Sequence, residues 1–439
     1  MQVLESRAAQ YYVYYPVALG ILALGLYVLA SAGKHRRTLG LLVLGSGLLL
    51  LVLKTIFLDN PFVDFAFVIS GGDFVNHGRD PYTLPQMPFP PTALPLFAVL
   101  AALPYQGVKV AWLAASVVAT VALIPLARRC LLSRSETSRF DLDGPALWVL
   151  TAMFSVSISL HVAIKEGNMS VLVTLCILLA IVLQSRGQGV AAGFCLALAT
   201  IKPQTLLPFL MLFLRRSDLR TWVTLAVVSL LLCAAGSPIA EIPARFRGEI
   251  ANVKKLTEFG AVNDYSFEAP VDHNIIGLNR LVYCLGMRDR VAIQWIHVSL
   301  NAALGIWLLT LALRPRGFPR DAFLAILSLY SLVFFYHRHY DLAMFAIPLV
   351  YCASRVRSSR PLERRLCFAS LVIMLAVMDI HPSSVQVVLQ KIFTGNGLWE
   401  RLGEAFVIPY FIWAILAVMV CLTIVARLDS GAPADAASR

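Results

Sequence analysis

The chain has 439 residues, of which 59% are apolar and only 14% charged, with a mean hydropathy of +0.75 and a formal charge of +12 at neutral pH. This composition excludes a soluble globular protein and indicates a polytopic membrane protein. The basic residues form short clusters between apolar runs rather than one continuous face. The positive charge therefore indicates membrane topology, and no nucleic-acid partner is expected.

Apolar runs of helical length follow one another along the whole chain. Crossing a hydrocarbon core of about 30 Å takes about 20 helical residues. Runs of that length lie at 13–31, 39–58, 107–127, 219–237, 293–313 and 404–426. Shorter runs lie at 146–160, 168–184, 189–201, 203–214, 321–336, 341–353 and 366–380. We therefore predict an all-α polytopic membrane protein with about 12–13 membrane segments, in a single integral-membrane domain over residues 1–439.

The positions of Lys and Arg predict the orientation of these segments. The loop around Lys34 and the alternate loops after it hold more than half of the chain's Lys and Arg, as expected of cytoplasmic loops. The tail 427–439 is then cytoplasmic, and two large loops, 59–106 and 238–292, lie on the outer face. Lys202 falls at the outer tip of a hairpin made by the runs 189–201 and 203–214. Most of the unusual polar residues collect on this outer face, so any chemistry is expected there.

Asp64 lies six residues after the run 39–58, where a membrane helix meets water. Its neighbours Phe62, Val63 and Phe65 are apolar, and a carboxylate in such surroundings is a candidate general base. The alternative is a solvated helix cap, because Asn60-Pro61 is an ordinary helix-start signal. The prolines at 85–91 preclude regular helix and predict a rigid outer loop beside Asp64, which would equally suit a channel mouth.

Two further features are candidates for holding an anion. A Lys between two apolar segments costs about 2.5–3.5 kcal/mol at mid-helix, so Lys202 is expected to face a cavity or a partner anion unless it extends to the surface. The segment 337–341, His-Arg-His-Tyr-Asp, places three potential cations next to a carboxylate. Such a cluster suits a phosphate leaving group. The alternative is a polar loop with internal salt bridges.

Other polar residues of the outer face are spread over two loops. They are His161, Lys165, Glu166 and Asn168 in one and Asp272, His273, Asn274 and Arg280 in the other. Neither loop has the HxxxH or ExxH spacing of a metal site, so we expect these groups to bind sugar hydroxyls or to face water.

These motifs together resemble the integral-membrane glycosyltransferases of the GT-C superfamily, and most closely glycosyltransferase family 87. The resemblance rests on Asp64-Phe65, the segment 78–82 (Gly-Arg-Asp-Pro-Tyr) and the segment 89–91 (Phe-Pro-Pro). It continues at Ala192-Gly193, Lys202-Pro203, Arg215-Arg216 and the stretch from Tyr340-Asp341 to Pro348. The segment 167–170, Gly-Asn-Met-Ser, stands where the family typically has Gly-Gln-x-Asn.

The resemblance implies transfer of a sugar, usually mannose, from a polyprenyl-phosphate donor to a glycolipid or surface-glycan acceptor. It implies a multi-pass protein, which we place in the bacterial cell membrane among membrane lipids with its active site at the periplasmic face, and we expect no metal or other cofactor. Asp64 is the expected general base of an inverting displacement. The residues expected to bind the donor phosphate are Lys202, His337, Arg338, His339 and Arg280. Those expected to bind the sugar or acceptor are Tyr82, Glu166, Asn168, His273, Asn274 and Asp341.

Two other functions are compatible with the same features. A transporter or flippase of lipid-linked sugars would suit the broken segments around Lys202, although we find no internal repeat. A non-catalytic scaffold is the third possibility.

Overall fold

The computed structural model describes residues 2–31, 35–57, 62–84, 87–132, 142–216, 219–269, 275–313, 318–380, 385, 392–393 and 397–430. The first half of the chain forms α1 (Gln2–Ala30), α2 (Arg36–Phe57), α3 (Val63–Asn76), α4 (Leu94–Ala101), α5 (Tyr105–Leu131), α6 (Gly144–Ser155), α7 (Ile158–Glu166), α8 (Ser170–Ser185), α9 (Gly189–Ala199), α10 (Pro203–Leu206) and α11 (Leu210–Arg216). The second half forms α12 (Leu219–Gly236), α13 (Ile242–Leu256), α14 (Leu278–Cys284), α15 (Arg290–Leu313), α16 (Arg320–Phe334), α17 (Ala346–Ala353), α18 (Pro361–Asp379), α19 (Leu398–Leu402) and α20 (Tyr410–Ser430). The predicted all-α fold is confirmed.

Five of the described helices are long and apolar enough to cross a membrane. They are α2, α5, α12, α15 and α20, and the pair α6 and α7, bent by 55°, counts as a sixth if it is one broken span. Helices suit these runs because a backbone in hydrocarbon must satisfy its own hydrogen bonds. Five of the six predicted long runs thus coincide with candidate spans, and the run 13–31 falls largely within α1.

Two of the shorter predicted runs, 321–336 and 341–353, lie in segments that are largely buried within the helical bundle. In α16, every residue from Asp321 to Val333 is buried. A helix that is buried on all sides lies in the interior of a bundle rather than at its lipid-facing surface. The same is true of the stretch 339–353, whose residues are all buried. These segments form the core that supports the polar residues around position 340.

The first long connection, 59–106, contains two packed helices. At Gly72 of α3, a Cβ atom would lie 2.0 Å from the carbonyl oxygen of Phe97 on α4, so only glycine allows this approach. Between α3 and α4 lie two short 3₁₀ turns, Pro81–Thr83 and Pro91–Ala93. The described part of the Pro-rich segment thus lacks regular α-helix, as predicted.

The second long connection carries the chain from α12 to α15. It contains α13, whose residue Asn252 donates to the carbonyl oxygens of Tyr82 and Met87 over 3.0 and 3.3 Å. It also contains the strand β1 (Ile275–Ile276), which pairs antiparallel with β2 (His337–Arg338). The two long connections therefore meet each other and the segment 337–341 at one end of the helical bundle.

The carboxyl group of Glu249 makes the packing of α13 depend on pH. Burial raises the pKa of Glu249 from 4.5 to about 7. The folded chain therefore binds this proton more tightly than the unfolded chain, and this contribution to stability grows as the pH falls from about 7 towards about 4.5 and is lost as the pH rises through 7.

We expect the wild-type protein to gain thermal stability between about pH 8 and about pH 5, and Glu249→Gln to lose part of that gain. Thermal unfolding of both proteins in the same detergent at both pH values measures the difference. The same gain in both proteins would contradict this assignment.

Candidate active site

The residue that ends α7, Gly167, packs against the start of α3. Gly167 has a φ of +67°, and a Cβ at this position would lie 2.6 Å from the Cβ of Phe65 and 3.0 Å from Cδ1 of Phe62. The backbone N–H of Phe62 also donates to the carbonyl oxygen of Lys165 over 3.2 Å. Because both the conformation and the close approach require glycine, this junction fixes Asn168 beside the first turn of α3.

Asp64 lies in that first turn and is half-buried. The side-chain amide of Asn168 donates to Oδ2 of Asp64 over 2.6 Å. The N-cap of α3 is Phe62, and no side chain caps it. Asp64 therefore does not act as a solvated cap: its carboxylate is held by a side chain from a distant part of the sequence, at a helix terminus that favours negative charge.

Other titratable side chains lie within electrostatic range of Asp64. They are Glu166, Tyr336, Arg338 and Tyr340. Burial raises the pKa of Tyr336 to about 12, so this phenol stays neutral near pH 7. The surroundings of Asp64 thus contain a second carboxylate, a cation and neutral hydroxyl groups.

Asp341 is the centre of a buried ion cluster. Its Oδ1 contacts Nζ of Lys202 and Oγ of Ser170, and its Oδ2 accepts from Nδ1 of His337 over 2.9 Å and from the backbone N–H of Arg338 over 3.1 Å. A carboxylate has about four lone-pair sites, which these four contacts fill. Asp341 therefore has little capacity left to bind a sugar hydroxyl directly. Its predicted contact with sugar or acceptor stays a prediction.

The anion that pairs with Lys202 is the carboxylate of Asp341. The side chains of Lys202 and Asp341 are only 12% and 4% exposed, so the lysine does not extend to the surface. Its Nζ also donates to Oγ of Ser170 over 2.7 Å. An ammonium group has three protons, so these two contacts leave one proton for a further acceptor.

Ser170 connects the two carboxylates. Its backbone N–H donates to Oδ1 of Asn168 over 2.8 Å, and its hydroxyl contacts the same oxygen. The single hydroxyl proton serves either Asn168 or Asp341 at one time. A continuous hydrogen-bonded chain thus runs from Asp64 through Asn168 and Ser170 to Asp341 and Lys202.

The guanidinium group of Arg338 forms a hydrogen bond with Asn263, a residue of the second long connection. Its Nε donates to the hydroxyl of Tyr336 over 3.0 Å, and its Nη2 donates to Oδ1 of Asn263 over 2.7 Å. The hydroxyl of Tyr336 donates to the same oxygen of Asn263 over 2.5 Å. These contacts hold Arg338 in one orientation within range of Asp64.

Three other residues that the sequence predicts as substrate contacts are buried, each among different neighbours. His339 is buried with its ring beside Tyr340, 5.7 Å between centroids. Arg280 is buried and donates to the carbonyl oxygen of Tyr265 over 2.6 Å. Tyr82 is 7% exposed and its hydroxyl donates to the carbonyl oxygen of Phe89 over 2.8 Å. Their roles in binding stay predictions.

The two remaining predicted residues, His273 and Asn274, lie outside the described residues. Within the described ranges, no three His, Cys, Asp or Glu side chains gather as metal ligands.

The sequence did not single out three residues that complete the site. Ser170 ends the segment 167–170 but looked like the start of a membrane run. Tyr336 directly precedes the polar segment 337–341, and this adjacency was the available signal. Asn263 lies in the second long connection and has no distinguishing pattern, so only the folded chain reveals its contact with Arg338.

The comparison with known protein families gives one match, which covers more than half of the chain. The sequence model of glycosyltransferase family 87 matches residues 88–337, more than half of the chain. The match includes Glu166, Asn168, Lys202, Arg280 and His337, whereas Asp64 precedes it. No curated protein matches the chain.

Proposed function

Because the chain belongs to glycosyltransferase family 87, we propose that it transfers mannose from a polyprenyl-phosphate donor to a glycolipid or surface-glycan acceptor. The reaction takes place at the periplasmic face of a bacterial cell membrane. The observation that supports this proposal best is the hydrogen-bonded chain between Asp64 and Lys202. It links a candidate base to a candidate phosphate ligand through buried side chains.

In the proposed mechanism, Asp64 is the general base. Its bond from Asn168 orients the carboxylate and leaves lone pairs for an acceptor hydroxyl. As the acceptor oxygen forms its bond to the anomeric carbon, its proton passes to Asp64. The bond between that carbon and the phosphate oxygen breaks on the opposite face, so the anomeric configuration inverts.

The leaving group takes the electron pair of the broken bond, so its phosphate changes from a monoanion to a dianion. Lys202, held by Asp341, directs its third proton towards this growing charge. His337 donates from Nδ1 to Asp341. Its buried Nε2 has no hydrogen-bond partner among the described residues. In our proposal His337 contacts the phosphate through Nε2, together with Arg338 and His339.

Asp341 has an orienting role in this proposal rather than a direct contact with substrate. Four donors hold its carboxylate, and two of them, Lys202 and His337, are the residues that we propose to contact the phosphate. Glu166 and Tyr82 remain our proposed contacts for the sugar or the acceptor.

The proposal is tested with purified protein in detergent, supplied with polyprenyl-phosphate-mannose and a panel of glycolipid acceptors. We expect release of polyprenyl phosphate and a mannosylated product with inverted anomeric configuration. Detergent removes the second compartment, so turnover measures chemistry rather than transport. Transfer from another lipid-linked sugar, with none from the mannose donor, would retain the mechanism and overturn the choice of sugar. Transfer from a nucleotide sugar alone would overturn the lipid-phosphate donor.

A further inference from the structure

The helix α13 presents an apolar row that no described part of the protein covers. Phe246, Ile250 and Val253 are 39%, 65% and 41% exposed. Their spacing of four and three residues aligns them along one line of the helix. Arg247 and Lys254, both exposed, form a parallel row beside it. This pattern of an apolar row with a basic row alongside is typical of helices that lie in a membrane interface.

The opposite side of α13 is occupied by protein. Asn252 is buried under the carbonyl oxygens of Tyr82 and Met87, and Arg245 is buried in an ion pair with Asp80. At Gly248, a Cβ atom would lie 2.8 Å from the Cβ of Tyr82. The apolar row therefore points away from the bundle because the other face already contacts Asp80, Tyr82 and Met87.

Both ends of α13 are tied to the membrane boundary. The candidate span α12 ends at Gly236, and α13 begins at Ile242 after a 3₁₀ turn, so the gap is at most about 20 Å even if fully extended. At the other end, Arg290, the first residue of the candidate span α15, donates to the carbonyl oxygen of Thr257 over 3.1 Å. The 15-residue helix α13 is thus held between the ends of two candidate spans, and this position favours an orientation along the membrane surface.

We propose that α13 is a membrane-interface helix that binds anionic lipid headgroups in the leaflet nearest the candidate active site. The row Phe246, Ile250 and Val253 enters the boundary between headgroups and acyl chains, and Arg247 and Lys254 contact the anionic headgroups. The inference does not depend on which sugar the enzyme transfers. It gives Asp80, Tyr82 and Met87, which contact the other face of α13, a support that is anchored in the bilayer.

The first experiment measures how deeply the row lies. A bimane label is placed on the full-length protein at Ile250→Cys or, as the matched control, at Lys255→Cys, an exposed position about 140° around the same helix from Ile250. Each variant is reconstituted in nanodiscs with or without a neutral lipid brominated near its headgroup, and the signal of labelled unsubstituted protein is subtracted. We expect strong quenching at position 250 and weak quenching at 255. Equal quenching at both positions would overturn the proposal.

A soluble quencher, iodide, separates lipid from protein as the occupant. Position 250 in lipid is quenched by brominated lipid and protected from iodide. Protection from both quenchers would identify a protein partner or a second copy of the chain, and strong iodide quenching alone would identify an exposed row. Either result overturns the proposal.

The second experiment tests the basic row with the label at 250. Brominated anionic lipid is compared with brominated neutral lipid at equal mole fraction. A basic residue near an anionic surface contributes about a fivefold preference. Arg247→Gln with Lys254→Gln is therefore expected to lower the anionic preference several-fold, whereas Lys255→Gln leaves it nearly unchanged. An undiminished preference in the double variant would overturn the headgroup assignment.

Discussion

Asp64→Asn is expected to lower the rate of sugar transfer by about 10²–10⁴-fold, the range over which general bases contribute. Asparagine has the shape of aspartate and keeps an oxygen that accepts from Asn168, so the junction between α3 and α7 is preserved. It has no carboxylate to take the proton of the acceptor hydroxyl. Initial rates with saturating donor and acceptor measure the effect, and thermal unfolding verifies that the variant is folded.

Asp73→Asn is the matched control for this substitution. Asp73 lies on the same helix, its side chain is 50% exposed, and it pairs with Arg79 over 2.9 Å. Surface ion pairs contribute at most about 1 kcal/mol, so this variant is expected to keep a rate close to that of the wild type. A wild-type rate in Asp64→Asn would exclude Asp64 as the base. If Glu166→Gln then gave the large loss, the neighbouring carboxylate would be the base.

The sequence predicted the long membrane segments well because each is a local property of the chain. A run of about 20 apolar residues must form a helix in hydrocarbon whatever its neighbours are. Whether a shorter segment forms a straight helix depends on its surroundings. The chain bends between α6 and α7 at residues 156–157, where the sequence has no Pro or Gly that would predict a bend. The packed helices α3 and α4 were likewise not predicted, because the sequence indicated only a long loop over residues 59–106.

The site was only partly predictable for a related reason. The pattern of Lys and Arg placed Asp64, Lys202 and the segment 337–341 on one predicted face, and the structure brings them together. It predicted an anion near Lys202 but gave no means to choose Asp341, because that choice depends on an approach between residues 139 positions apart. The same holds for Asn168, whose place beside Asp64 follows from the glycine junction at 167.

The buried pair of Lys202 and Asp341 gives the second large expected effect. Removing one member of a buried ion pair leaves an uncompensated charge and typically costs about 3–5 kcal/mol. Asp341→Asn leaves the buried ammonium group of Lys202 without its carboxylate partner. Lys202→Met leaves a carboxylate that still accepts from His337, Ser170 and the backbone of Arg338. We therefore expect Asp341→Asn to lower the thermal unfolding temperature more than Lys202→Met does.

The double variant Lys202→Met with Asp341→Asn separates folding from function. It contains neither buried charge, so its thermal stability is expected to recover well above that of Asp341→Asn alone. Its transfer rate is expected to stay low, because the proton that Lys202 directs to the donor phosphate is absent. Recovery of both stability and transfer would make the pair purely structural and remove Lys202 from the proposed phosphate site. Continued instability with both charges removed would instead place the cost in the hydrogen bonds around Ser170 and His337.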